Sequence, residues 1–356
     1  MATVVFACSA SREYMRNRVL VRVLRRSHRV EVLGSTARTY PRRLASVVPR
    51  LLTTWTRADV YLAGFLGQPL VPFMRARRER PIILDAFVSV YDTLVLDRSE
   101  HSPRSPVGRL ARWLDALSLR WADRALTDTA AAADFMAAEF GVARSKFVPV
   151  PVGADESLFT PRGPGNGKGN IDVLYYSTYL PLHGATVVVE AARLLREREG
   201  VRFTLVGEGP ERPRAEALAR KHKLENCVFV DAVPLRELPE QIAACDIFLG
   251  GHFSTGNAKA RRVVPGKVYQ GLAMARPVVL GDGEANRQCF RHAENAMMVT
   301  MGDPESLAQA IEEMAESPEL RQRLANEGYE LYRQSFSEEA LTEPLETAIS
   351  QAMAAR

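Results

Sequence analysis

Two glycines follow an apolar run in Gly207-Glu208-Gly209-Pro210, directly after Arg202–Val206, and that spacing lets backbone approach a ligand. A plain strand-to-helix turn is the alternative. The third glycine of a dinucleotide fingerprint is missing, because Arg212 stands in its place. The first apolar run, Thr3–Cys8, leads into Ser9–Tyr14 without any glycine, which argues against nicotinamide or flavin binding. Asp85 and Asp92 stand at and just beyond the end of another apolar run; each carboxylate could orient a hydroxyl, and Asp85 could instead cap a helix. In Val264-Pro265-Gly266-Lys267-Val268-Tyr269-Gln270, Lys267 occupies a helix start, where a positive charge opposes the helix dipole. There is no Asp-x-Asp on a candidate active loop and no His-x-x-x-His of the kind that binds a divalent metal.

The elements that must position these residues alternate. Short β-branched runs separated by helical periodicity give strands at Thr3–Cys8, Arg29–Leu33, Asp59–Ala63, Pro81–Ala86, Arg124–Asp128 and Phe147–Val152. A second set follows at Ile171–Tyr176, Arg202–Val206, Cys227–Val230, Asp246–Leu249, Pro277–Leu280 and Ala296–Val299. Each half therefore reads as a doubly wound α/β sheet, with 1–160 and 171–334 as Rossmann-like domains. Residues 161–170, rich in glycine and proline, form the linker. Residues 335–356 read as a terminal helix packing back on the first domain. Folds of this kind place ligands in the cleft at the carboxyl ends of their strands.

A chain of 356 residues, 46% hydrophobic and 25% charged, fits two soluble domains. No apolar run reaches the length of a membrane span, no signal peptide is visible, and the four cysteines lack paired spacing. A reduced cytoplasmic protein is the expectation. The net charge of +5 is uneven: residues 1–160 carry 24 Lys+Arg against 15 Asp+Glu, and the remainder 23 against 27. An anionic partner of the first half is implied. Nucleic acid is disfavoured by the lack of zinc-finger, RNP or helix-turn-helix patterns. Arg42–Arg57, mixing Leu, Val and Trp55 with arginine, could instead lie on an anionic membrane, although a solvated helix face is the simpler reading.

Several segments, taken in order, resemble the retaining GT-B glycosyltransferases of the large family four. They are Asp123–Thr129, Val150-Pro151-Val152-Gly153-Ala154-Asp155 with Phe159 and Pro161, His183-Gly184, Val206–Pro210, Pro265-Gly266-Lys267 and Leu272–Val279. The resemblance runs from about Pro81 to Phe336. It implies a GT-B fold of two Rossmann-like domains facing a cleft and a retaining glycosyltransferase of hexosyltransferase type. A nucleotide-diphosphate sugar would be held by the second domain and a saccharide or lipid-linked acceptor by the first, with no cofactor or metal.

On that resemblance Thr178, His183, Gly184, Gly207, Gly209, Arg262, Pro265, Gly266, Lys267 and Gln270 form the donor side, with Lys267 the best-placed diphosphate contact. Lys267 and Asp85 stand as the catalytic candidates; Arg12, Arg16 and Asp92 lie on the acceptor or diphosphate side, although Arg12 and Arg16 also read as solvated helix arginines. Two departures matter. Thr178 and His183 occupy the positions where the family has an arginine and a lysine, so His183 would need a proton to help hold phosphate. Arg262 and Gln270 replace the paired glutamates; Gln270 can still bond ribose hydroxyls, whereas Arg262 cannot imitate a carboxylate. A non-catalytic sugar-nucleotide-binding or scaffold protein is therefore the alternative. An epimerase would want clustered carboxylates and histidines that the sequence does not offer.

Overall fold

A computed structural model describes the chain apart from residues 10, 12, 54–57, 77–79, 98–99, 164–168, 257 and 356. The chain divides into two compact units, Met1–Asp155 with Glu338–Arg356, and Glu156–Ser337. The break lies five residues before the expected 160. Asp155 is tied into the first unit by Arg18 and Arg22, while Glu156 accepts a hydrogen bond from Tyr332 in the second.

The first unit is a sheet of β1 (Thr3–Ala7), β2 (Arg29–Leu33), β3 (Val60–Ala63), β4 (Ile82–Asp85), β5 (Arg124–Thr127) and β6 (Phe147–Pro149). Its order is β2-β1-β3-β4-β5-β6, with every pairing parallel. The central strands β1, β3 and β4 are apolar on both faces up to Asp85, as a sheet covered on both sides by helices requires. Val5, Ala7, Tyr61 and Leu84 face one core; Val4, Phe6, Leu62 and Ile83 face the other, beside Val19, Leu20 and Val23 of the helix Met15–Ser27. Leu345, Ala348, Ile349 and Ala352 of the helix Thr342–Ala354 complete that second core. Each larger side chain buried there contributes about 1.5–3 kcal/mol.

The second unit repeats the plan with β7 (Ile171–Tyr176), β8 (Val201–Val206), β9 (Cys227–Val230), β10 (Ile247–Leu249), β11 (Val278–Gly281) and β12 (Met297–Val299). Its order is β12-β11-β10-β7-β8-β9, again parallel throughout. The direction of winding reverses between β7 and β10, and that is where a crevice opens at the carboxyl edge of such sheets.

Two expectations need correction, and a third resolves to its simpler alternative. Residues 335–341 do not join the terminal helix: the helix Pro318–Ser335 ends when Phe336 and Ser337 both donate to the Tyr332 carbonyl, and the terminal helix starts at Thr342. The sixth strand stops at Pro149, since neither Pro149 nor Pro151 has an amide to give the ladder. The helix Tyr40–Thr53 turns Leu44, Val47, Val48 and Leu51 onto the core of its own unit and leaves Leu52 as its exposed large apolar residue, which is the stripe of an ordinary surface helix. Trp55 and Arg57 lie outside the described residues. No helix among those described is long and apolar enough to cross a membrane.

Candidate functional site

The carboxyl edge of the second sheet gathers most of the singled-out residues. After β7 the chain runs through Ser177-Thr178-Tyr179 and a short 3-10 turn, Pro181–His183, before Gly184 admits the helix Ala185–Leu194 with φ of 71°. After β10 it runs through Gly250-Gly251-His252 toward the helices Ala258–Arg262 and Gly266–Ala273. The His183 and His252 rings stack across the reversal point, with centroids 5.4 Å apart and planes 9° from parallel. Ser177 Oγ lies 2.6 Å from His183 Nδ1 and accepts from the Tyr179 amide at 2.9 Å, which fixes the His183 ring.

Lys267 and Gln270 are three residues apart on the helix Gly266–Ala273 and therefore share a face. Lys267 Nζ donates to the Tyr176 carbonyl at 2.9 Å and lies 4.8 Å from the Tyr175 ring centroid and 5.6 Å from that of Tyr176. The Tyr176 hydroxyl bonds Gln270 Oε1, so the last strand residue holds both side chains of this face. Lys267 is 7% exposed and forms no ion pair among the described residues. An isolated buried ammonium is expensive, and burial lowers Lys267 to about 7.

His252 is pushed down to about 3, by burial first and then by Lys267. Burial, Lys267 and His252, in that order, hold His183 well below the ordinary histidine value. A protonated His183 is therefore not what this site offers; the imidazole is neutral and acts through hydrogen bonds. His252 Nδ1 is buried without a hydrogen-bond partner among the described residues. Three nitrogen bases thus meet at one spot, with no acidic group bonded to Lys267, an arrangement suited to an anion that brings its own charge. Among the described residues no cluster of His, Cys, Asp and Glu could hold a metal ion.

The paired glycines have a different use from the expected one. A Cβ on Gly207 would fall 1.9 Å from the Ser177 carbonyl oxygen, and one on Gly209 1.9 Å from that of Thr178. Their φ angles are 121° and 150°. The close approach they permit is between the loops after β7 and β8, so they set the position of the Ser177 backbone on which His183 depends. Thr178 is exposed; Pro265 precedes the Lys267 helix in extended conformation, Gly266 opens it, and Arg262 is half-buried at the end of the preceding helix.

The first unit treats its candidates otherwise. Asp85, the last residue of β4, is fully buried and takes the Arg16 guanidinium: Nη2 lies 3.0 Å and Nε 3.2 Å from Oδ1. Arg16 Nη1 donates to the carbonyls of Val150 at 2.5 Å and Pro151 at 2.8 Å. Neither expectation for this pair survives: Asp85 is no helix cap and has no face left for an acceptor hydroxyl, and Arg16 is neither solvated nor free to reach a phosphate. Asp92 is buried at the start of the turn Asp92–Asp97, its amide donating to Ser89 Oγ at 2.9 Å. Arg12 lies outside the described residues.

Sequence reasoning did not single out His252, for which the only signal is its place directly after a pair of glycines closing a strand. It also missed an aromatic row on the loops after β1, β3 and β4. Tyr14 stacks on Phe65 at 3.9 Å, and Phe65 lies 5.9 Å from Phe87.

Known proteins can now be set beside this geometry. Residues 171–317 match the family model described as Glycosyl transferases group 1. The lipopolysaccharide core biosynthesis glycosyltransferase LpsD of Rhizobium meliloti (strain 1021) is 30% identical over 153 residues, 42% of each chain. LpsE of the same strain is 30% identical over 173 residues, 48% of this chain and 47% of that one. The matched stretches span less than half the length of these curated relatives. Among solved structures, Anabaena HepE in complex with UDP-glucose gives a TM-score of 0.75 at 15% identity, covering 98% of this chain and all of that one. Sucrose-phosphate synthase from Thermosynechococcus elongatus gives 0.73 at 14% identity over the whole of both chains. The chain thus has the GT-B fold, and its residues 171–317, which match the glycosyl transferases group 1 model, carry the Lys267 and histidine cluster.

Proposed function

We propose that the protein is a retaining glycosyltransferase that takes a hexose from a nucleotide diphosphate held by the second unit and passes it to a hydroxyl of a saccharide or lipid-linked acceptor held by the first. The observation that carries this reading is the buried Lys267, without a carboxylate partner, beside Gln270 and the two histidines at the reversal point of the group 1 domain. In the reaction the bond between the anomeric carbon and the diphosphate oxygen breaks with its electron pair going to the phosphate. The acceptor oxygen forms the new bond on the same face, and its proton passes to the departing phosphate oxygen. Lys267, as an ammonium beside the bound diphosphate, stabilises the charge that develops on that leaving group. Gln270 bonds the ribose hydroxyls. The LpsD and LpsE names and the UDP-glucose bound to HepE make UDP-hexoses and lipopolysaccharide core oligosaccharides the first donors and acceptors to test. The Tyr14, Phe65 and Phe87 row supplies ring faces for an acceptor sugar.

Radiolabelled UDP-, GDP- and ADP-hexoses incubated with core oligosaccharide and EDTA should give a labelled product whose new linkage keeps the donor's anomeric configuration by NMR. Absence of transfer from all three sinks the proposal. Arginine and glutamine at positions 262 and 270, where the family it resembles has carboxylates, favour one second reading: a donor-binding protein without turnover. Saturable UDP binding with neither transfer nor donor hydrolysis would select it.

A further inference from the structure

This inference rests on the second unit binding a nucleoside diphosphate, and concerns what must accompany that ligand. Lys267 lies on the helix Gly266–Ala273 with Gln270 as its polar neighbour on the same face. From β7 it meets the Tyr175 and Tyr176 rings and the Tyr176 carbonyl. From the loop after β7, Ser177 and His183 face the cluster, and from the loop after β10, His252; the field of Lys259 also reaches His252. Each of these groups is neutral or basic. One carbonyl is the only hydrogen-bond acceptor that Lys267 has among the described residues. Replacement by arginine, the basic residue this chain uses nearly everywhere else, would fix the charge permanently; an amine can lose it.

We infer that a nucleoside diphosphate enters this cluster together with a proton, taken from solvent by the Lys267 amine, so that the bound state holds an ammonium which the free protein holds only in part. The free protein avoids an uncompensated buried charge by leaving Lys267 partly neutral at pH 7. Two or three negative charges placed beside the amine reverse that balance. The two histidines stay neutral and donate or accept hydrogen bonds, leaving the proton to Lys267.

UDP is the probe, between pH 7 and 9, where its terminal phosphate, with a last pKa of about 6, has finished titrating. Carbon-13 at the lysine ε position gives six signals, one per lysine, and Lys267→Arg identifies the signal sought. The Lys267 signal should titrate near pH 7 in the free protein and move up by about two units or more with UDP. Affinity measured by calorimetry should fall about 25- to 50-fold from pH 7 to 9, with about 0.7 to 1 proton taken up per UDP near pH 8.5. The wild-type measurement stands even if the Arg variant does not fold. UDP binding with flat affinity and no proton uptake overturns the inference and leaves the donor site intact. Absence of binding by UDP, GDP and ADP at millimolar concentration overturns the donor site and the inference together.

Discussion

The two units bury a basic side chain at the carboxyl edge of the same kind of sheet and treat it in opposite ways. Arg16 is enclosed by the Asp85 carboxylate and two backbone carbonyls, so its charge is compensated and its donors are used. Lys267 has one carbonyl and two aromatic faces, with no carboxylate bonded to it. A compensated buried charge fixes loops; an uncompensated one is poised for a ligand. The pattern also separates the two residues chemically, because the guanidinium remains charged in any surroundings whereas the amine titrates.

Breaking the closed pair should have the largest effect. Asp85→Asn leaves the Arg16 guanidinium buried without a counter-charge and should cost about 3–5 kcal/mol, read as earlier loss of amide protection in the first unit during denaturation. The double variant Arg16→Met with Asp85→Leu should lose less than the sum of the single changes. Equal losses would mean that the pair does not organise that unit.

The open site should respond with the opposite sign. Lys267→Met removes a buried amine and should raise the melting temperature of the second unit, most at low pH. The folded value of about 7 lies below the 10.5 of an ordinary lysine, so the unfolded chain holds the extra proton between them and wild-type stability climbs as pH rises from 7 toward 10. The gain from the variant should accordingly be larger at pH 6 than at pH 9. A variant less stable than wild type at pH 6 would contradict the uncompensated charge.

Gly207→Ala drives a Cβ into the Ser177 carbonyl and should cost about 1–3 kcal/mol while weakening UDP binding, because Ser177 orients His183. Stability lost with binding unchanged would separate the glycine from the site. The smallest effect belongs to Tyr176→Phe, which removes the hydroxyl held by Gln270 and should cost about 0.5–1.5 kcal/mol of UDP affinity with little change in stability.

The alternation of strands and helices was legible because each strand is a short, predominantly apolar run: every expected strand overlaps an observed one, and boundaries differ mostly by a residue where a flanking Asp or Pro ends the ladder. Lys267 stood out through its conflict with the helix dipole. What the sequence could not carry was partnership at a distance. Arg16 and Asp85 are 69 positions apart, and nothing local distinguishes an arginine that will be buried from one on the solvated helix face. His183 and His252 meet through the reversal of sheet order between β7 and β10, so what keeps His183 neutral, burial first, then Lys267 and His252, is assembled from residues 69 and more positions away. The glycines at 207 and 209 were legible as positions of close approach, but their partner, the backbone of a parallel neighbour, appears only when β7 and β8 pair in register.

The most direct test of the contrast between closed and open edges is calorimetric titration of UDP into wild-type protein and Lys267→Met at pH 7. The open-site account predicts one binding event per chain for wild type and a loss of at least about 100-fold in affinity, on the order of 3 kcal/mol, for a variant that remains folded and at least as stable. Equal UDP affinity in the two proteins, or none in either, would contradict it.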